Sequence, residues 1–179
     1  MRNKKQLTSE TIFKMFAETD RLIKAGEQRM ERMITKMQKE IGGISNSNGE
    51  VAESYFINSF KKYLHFAGQD YDSLAPNLSK DSSKLNLRDE YDLVLYNCTS
   101  VAIIEIKYKA RKEDIEQLLR KAQTFKQLFP EYAHYDILLG LAGLHVNVTA
   151  EKEAIKKGVA VIKQVGDTMV INDAYLKVF

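Results

Sequence analysis

Cysteine is nearly absent, and its scarcity excludes whole classes of architecture. Cys98 is the sole one in 179 residues, which rules out an internal disulfide framework and a four-cysteine zinc site and suits a reducing cytoplasm. No His or Asn stands where it would activate the thiol, so Cys98 reads as a small turn residue. Histidine is scarce too. His65, His134 and His145 lie far apart in sequence and read as helix-face or strand-end residues. No apolar run approaches the ~20 residues that cross a bilayer as a helix. The basic start MRNKKQLTSE is followed by no apolar stretch of the signal-peptide kind. The chain is therefore expected to be soluble and cytoplasmic, and the triplets at Asn97 and Asn147 carry no glycosylation meaning. Missing as well are a phosphate-binding Gly-Lys-Ser/Thr loop, a G-x-S-x-G elbow, an H-E-x-x-H helix and a dinucleotide fingerprint.

What is present is ordinary soluble-domain composition, 44% hydrophobic and 28% charged, enough for one core and a small appendage. The net charge of +3 is unevenly spread. Residues 1–48 carry 10 Lys/Arg against 6 Asp/Glu, and the rest 17 against 18. Any general attraction to a polyanion belongs to the N-terminal part or to a local patch.

From Ser9, a plausible N-cap, to about Ile41 there is no proline and one glycine, Gly26. Apolar residues recur every seven positions at Phe16, Ile23, Met30, Met37 and Ile44, beside a weaker row of Ile12, Thr19, Gly26, Met33 and Glu40. A helix of roughly 45 Å would present this as a coiled-coil seam; a helix folded onto the core is the alternative. The turn formers GGISNSNG at 42–49 are expected to end it, dividing the chain into a helical arm, 1–48, and a compact domain, 49–179. A second helix is expected to bury Val51, Ala52, Tyr55, Phe56, Phe60, Leu64 and Ala67. A polar, turn-rich stretch, read as a loop leading into a short strand, precedes a hairpin over 89–107. Then comes a helix with Ile115, Leu118, Leu119, Ala122, Phe125 and Phe129 on one side, stopped by Pro130. An apolar central strand, YDILLGLAGLHV, precedes a helix opening near Thr149 and closing on Gly158, with two short strands last. The order predicts an α/β sandwich on a mixed sheet.

The hairpin carries an anomaly. Asp92 sits on its first strand, with Glu105 and Lys107 on its second. Alternation puts Glu105 and Lys107 on one face with Ile103, and Ile104 and Ile106 on the other. A turn centred between Cys98 and Thr99 sets residue 92 opposite residue 105, where like charges repel. A shift of one residue would send Asp92 to the other face. A divalent cation with oxygen ligands would reconcile the two acids, and the lysine could then orient an attacking water. A surface salt-bridge trio would serve equally well on charge and spacing alone.

Asp92, twelve intervening residues and then Glu105-Ile106-Lys107 resemble the signature of the PD-(D/E)XK, or restriction-endonuclease-like, nuclease superfamily. The stretch NSNGEVAES resembles the Gly-x-x-x-Glu of the first core helix in archaeal Holliday-junction resolvases and relatives, which would make Glu53 a third acid, with Glu50 its competitor. Residues 129–173 also resemble poorly characterised members that place a long helical segment before the nuclease core. Tyr91 stands where the motif's proline would be.

The resemblance covers about 49–179 and implies a restriction-endonuclease-like mixed-sheet core flanked by helices. It also implies a Mg²⁺- or Mn²⁺-dependent nuclease cutting phosphodiester bonds of nucleic acid, DNA foremost. Asp92, Glu105, Glu53 and the carbonyl of Ile106 would hold the metal, and Lys107 would position the water. Lys109, Arg111 and Lys112 could meet a phosphate backbone, and Gln123 lies where members sometimes carry a polar active-site residue. A homo-oligomer through the N-terminal helix is expected, with no membrane partner. The alternative is a nuclease-fold interaction module without catalysis, assembled through that helix.

Overall fold

The computed structural model describes the backbone of residues 9–179, and the side chains of Glu18, Arg21, Lys24, Gly26, residues 28–33, Lys36 and residues 47–179. The chain divides into two units, Met1–Asn46 and Ser47–Phe179. Helix α1 spans Ser9–Lys62, so the tract at 42–49 lies inside a helix. That corrects the expected break: glycine weakens a helix by about 1 kcal/mol without forbidding it. Of the expected seam, Met30, Met33 and Gly26 are described and exposed; the side chains of its other members lie outside the described residues.

In the second unit the sequence meets its elements one by one. Ala52, Phe56 and Phe60 are fully buried on the last turns of α1, each large ring contributing about 1.5–3 kcal/mol of burial. Val51 is exposed, and the helix ends at Lys62, so Leu64 and Ala67 pack from beyond it. Two short strands, β1 (His65–Phe66) and β2 (Gln69–Asp70), form a small ribbon. The polar stretch that follows contains a full strand, β3 (Ser73–Ser82). It pairs on one side only, with β4 (Leu87–Tyr96), and an edge position explains both its polar residues and its tolerance of Pro76.

β5 (Ser100–Ala110) is antiparallel to β4 and leads into helix α2 (Lys112–Leu128). Asp114 Oδ2 accepts the Arg111 N–H at 2.6 Å at the start of α2, and Pro130 forbids its continuation past Phe129. β6 (Asp136–Val146) returns parallel to β5. Helix α3 (Val148–Lys157) is capped by Asn147, whose Oδ1 accepts the Ala150 N–H at 2.6 Å, so the cap lies two residues before the expected Thr149. The helix closes on Gly158 at φ 81°. β7 (Ala160–Val165) is parallel to β6, and β8 (Thr168–Asn172) antiparallel to β7.

The result is a mixed α/β fold with a six-stranded sheet in the order β3-β4-β5-β6-β7-β8. One face carries a cluster including Tyr91, Val94, Ile103, Ile115, Leu118 and Phe125 under α2 and α3. The other face buries Phe56, Phe60, Leu93, Ile104 and Ile106. Among the described residues no helix is long and apolar enough to cross a membrane.

Candidate functional site

The β4–β5 turn fixes the register that everything else inherits. Asn97 N–H donates to the Ser100 carbonyl at 3.1 Å. The Asn97 Oδ1 accepts the N–H groups of Thr99 and Ser100 at 3.0 and 2.7 Å, an arrangement for which Asn is suited. The ladder then runs from Tyr96↔Val101 to Leu93↔Ile104. That register sets Asp92 one step beyond the last pair, against Glu105. Cys98 is exposed in this turn.

Where the two acids meet, β4 leaves β5. In an unbroken ladder the Ile106 N–H would donate to the Tyr91 carbonyl; here it donates to Asp92 Oδ2 at 2.7 Å. The side-chain alternation of β4 slips at the same place. Leu93 and Leu95 join the cluster with α1, yet Tyr91 and Val94, three apart, both join the cluster with α2. On the other side of β4, Asn77 falls between the pairs Pro76↔Leu93 and Leu78↔Tyr91 and takes a left-handed φ of 50°. Asp92 therefore occupies a local break in β4 of the kind that re-aims a side chain. The strict alternation assumed from sequence does not hold through it.

Glu105 follows the expected face. Its neighbour Ile103 packs under α2, and Ile104 and Ile106 pack against α1. The carboxylate is 1% exposed and both its oxygens are engaged: Oε1 by Lys107 Nζ and Oε2 by Lys121 Nζ, each at 2.6 Å. The two lysines differ in setting. Lys107, on β5, is 32% exposed; Lys121, on α2, is 6% exposed, with its ammonium 5.9 Å from the Tyr91 ring centre. Burial pushes the Asp92 carboxyl up to about 6, the charge of Glu105 adds to this, and the Ile106 hydrogen bond and both lysines oppose it. Burial pulls Lys107 down, but the charge and hydrogen bond of Glu105, together with the charges of Asp92 and Asp114, more than reverse this and leave Lys107 above its ordinary value.

A second polar contact fastens α2 to β4 beside this cluster. Thr124 Oγ1 donates to Asp89 Oδ2 at 2.5 Å and lies 3.2 Å from the Tyr91 hydroxyl. Asp89 also accepts the Glu90 N–H at 3.0 Å. Burial pushes the Tyr91 phenol up to about 12, the Thr124 hydrogen bond opposing it. Tyr91 is thus a packing residue with its hydroxyl tied to α2.

The structure brings Asp92, Glu105 and Lys107 together and adds Ile106 through its N–H. Glu53 is half-buried on α1 and Glu50 exposed. Among the described residues no three His, Cys, Asp or Glu side chains gather in a group able to hold a metal. Gln123 lines a cavity of about 440 Å³ with Glu116, Leu119, Lys126 and Phe179. Lys109, Arg111 and Lys112 are exposed, as expected of phosphate-facing or simply solvated residues. His65 bonds Asp70 at 2.7 Å, and His145 meets the Tyr108 ring edge-on.

Lys121 was not foreseen. Its signal lay in the α2 pattern, which puts a lysine on the buried stripe between Leu118 and Phe125. A lysine there needs a carboxylate beneath it. No family model, no curated protein and no solved structure matches this chain.

Proposed function

We propose that this chain is a metal-dependent phosphodiesterase acting on nucleic acid, DNA foremost, built on a restriction-endonuclease-like core. The observation that carries the reading is the meeting of Asp92 and Glu105 where β4 parts from β5, with Lys107 on the second acid. The order of elements supports it as well: a helix, the acid-bearing hairpin, then a crossover helix and a parallel strand.

The donor set fits a hard cation. Two carboxylates on neighbouring strands supply oxygen ligands for Mg²⁺ or Mn²⁺, which keep several waters besides. The mutual repulsion that helps hold Asp92 near 6 is the strain a divalent charge relieves. Asp92 and Glu105 would hold the ion, with the Ile106 carbonyl as a further donor; Glu53, on the helix that packs against the opposite face of the sheet, does not gather with the two acids. Bound there, the ion would polarise a phosphoryl oxygen and lower the pKa of a bound water. Lys107, partly solvated and 2.6 Å from Glu105, is free to exchange that contact for one to the attacking water or the phosphate.

The test is cleavage of labelled single- and double-stranded DNA and of RNA, with Mg²⁺, Mn²⁺ or EDTA. Lys107→Ala is expected to cut at least ~100-fold more slowly, in the range for loss of a group that positions or transfers a proton. Cleavage insensitive to metal, or undiminished in Lys107→Ala and Asp92→Ala, would remove the reading.

One observation favours a second reading. Two acids and two lysines balance, and both oxygens of Glu105 are taken, so the cluster is also self-sufficient as a structural element. An interaction module that keeps this scaffold, assembling through the heptad pattern of residues 1–48, would bind no divalent ion. Both readings retain that assembly, and sedimentation of the full chain against residues 49–179 tests it.

A further inference from the structure

We infer that Lys121 is the positioning residue of this site: it holds Glu105 in place without metal, and it occupies the side of Glu105 on which a second cation would sit, leaving room for one. The holding role stands on geometry alone; the one-ion corollary rests on the function proposed above.

A carboxylate that is 1% exposed needs a partner, because the cost of dehydrating it is recovered only by a close opposite charge. Two ammonium groups compete for that role, and their surroundings separate them. Lys107 reaches Glu105 from two residues along the same strand and keeps about a third of its surface in solvent. Lys121 comes from a different element, and its backbone is fixed. Leu118, Ala122 and Phe125 bury the same face of α2, and Thr124, less than one turn on, is bonded to Asp89 of β4. Its stem is enclosed, its Nζ lies over the Tyr91 ring, and Glu105 Oε2 is the carboxylate oxygen it reaches.

Two consequences follow. The acid is fixed before any ion arrives, so the site is formed in the metal-free protein. A divalent ion approaching Oε2 would have to displace an ammonium that has no solvent to retreat into, whereas one approaching Oε1 displaces Lys107, which has. The available side is therefore that of Oε1.

The experiment compares wild type with Lys121→Met, Lys121→Arg, Glu105→Gln and the Lys121→Met/Glu105→Gln double variant. Thermal unfolding is followed in EDTA, and bound Mn²⁺ is counted from the loss of the free-ion electron paramagnetic resonance signal. Wild type is expected to bind one Mn²⁺ per chain. Lys121→Met should unfold several degrees lower in EDTA, recover on adding Mn²⁺, and accept a second ion. Lys121→Arg should restore both the midpoint and the one-ion count, and Glu105→Gln should cancel most of the loss caused by Lys121→Met.

An unchanged midpoint for Lys121→Met in EDTA, or no compensation in the double variant, overturns the holding role. Two ions on wild type overturn the one-ion corollary. Should Lys121→Met fail to fold, the double variant decides: a folded double variant supports the role and an unfolded one overturns it. Compensation in EDTA with no Mn²⁺ bound to wild type supports the holding role and overturns the proposed function.

Discussion

Asp92 accepts the Ile106 N–H at 2.7 Å, so a side chain takes the place of a backbone carbonyl one step past the last β4–β5 pair, Leu93↔Ile104. That substitution is what lets the strands part without leaving a buried amide unbonded. It also draws a carboxylate in beside Glu105. The raised carboxyl comes from the same arrangement, which buries Asp92 and sets it against Glu105, and the Ile106 hydrogen bond offsets these only in part.

The first prediction concerns acid. Asp92 sits near 6 in the folded chain against 3.8 ordinarily, so the folded state holds the proton more tightly than the unfolded one. Its contribution to stability is then best below about pH 4, falls as pH rises toward 6, and is flat above. Asp92→Asn keeps an oxygen for the Ile106 N–H and removes the charge. In metal-free protein at pH 7 it is expected to stabilise by on the order of 2 kcal/mol, the shift converted at 1.36 kcal/mol per unit less a discount for coupling to Glu105. Urea unfolding between pH 4 and 8 measures this, and the slope between 4 and 6 should flatten in the variant.

Removing the other acid acts in the opposite direction. Glu105→Gln strands the 6%-exposed Lys121 and is expected to cost about 3–5 kcal/mol in the metal-free chain. The exposed pair Lys80–Glu131, 3.8 Å apart, gives the control. Glu131→Gln should change stability by less than ~1 kcal/mol, and equal losses in the two variants would contradict the burial of the site.

The α2–β4 fastening is separable from the acids. Thr124→Val keeps the shape but leaves Asp89 without its hydroxyl donor and Tyr91 without its partner. The expected loss is ~1–3 kcal/mol. Raised amide exchange should accompany it in the segment around Lys121 and Thr124.

A fourth prediction checks the frame away from the site. Gly158 ends α3 at φ 81°, and a Cβ there would strike the Lys177 side chain. Gly158→Ala is expected to cost about 1–2 kcal/mol from the left-handed backbone, and more where Lys177 cannot move. Gly166, at φ 59° with open space around it, should cost no more than the backbone penalty on the same substitution.

The sequence made the hairpin, its register and the pairing of Asp92 with Glu105 readable, because an NCTS turn between two alternating apolar strands leaves few registers that bury both. It also made α2, β6, α3 and the closing Gly158 readable from period and caps. β3 was legible only as a short strand at the end of a loop, because Ser73–Ser82 is largely polar and pairs on one side alone. The helix through 42–49 was hidden because local propensity is a weak signal. The slip at Asp92 coincides with the left-handed backbone of Asn77 across the sheet, which no local pattern announces. Lys121 was legible in principle, as a charge on a buried stripe, but its partner is sixteen residues away and no local pattern joins them.

The most direct measurement is a calorimetric titration of Mn²⁺ into wild type and Asp92→Asn at pH 7.5. Saturable binding to the wild type, weakened roughly 10–100-fold or more in the variant, is the predicted result. No heat of binding to the wild type, or the same isotherm for both proteins, would contradict a cation held between Asp92 and Glu105.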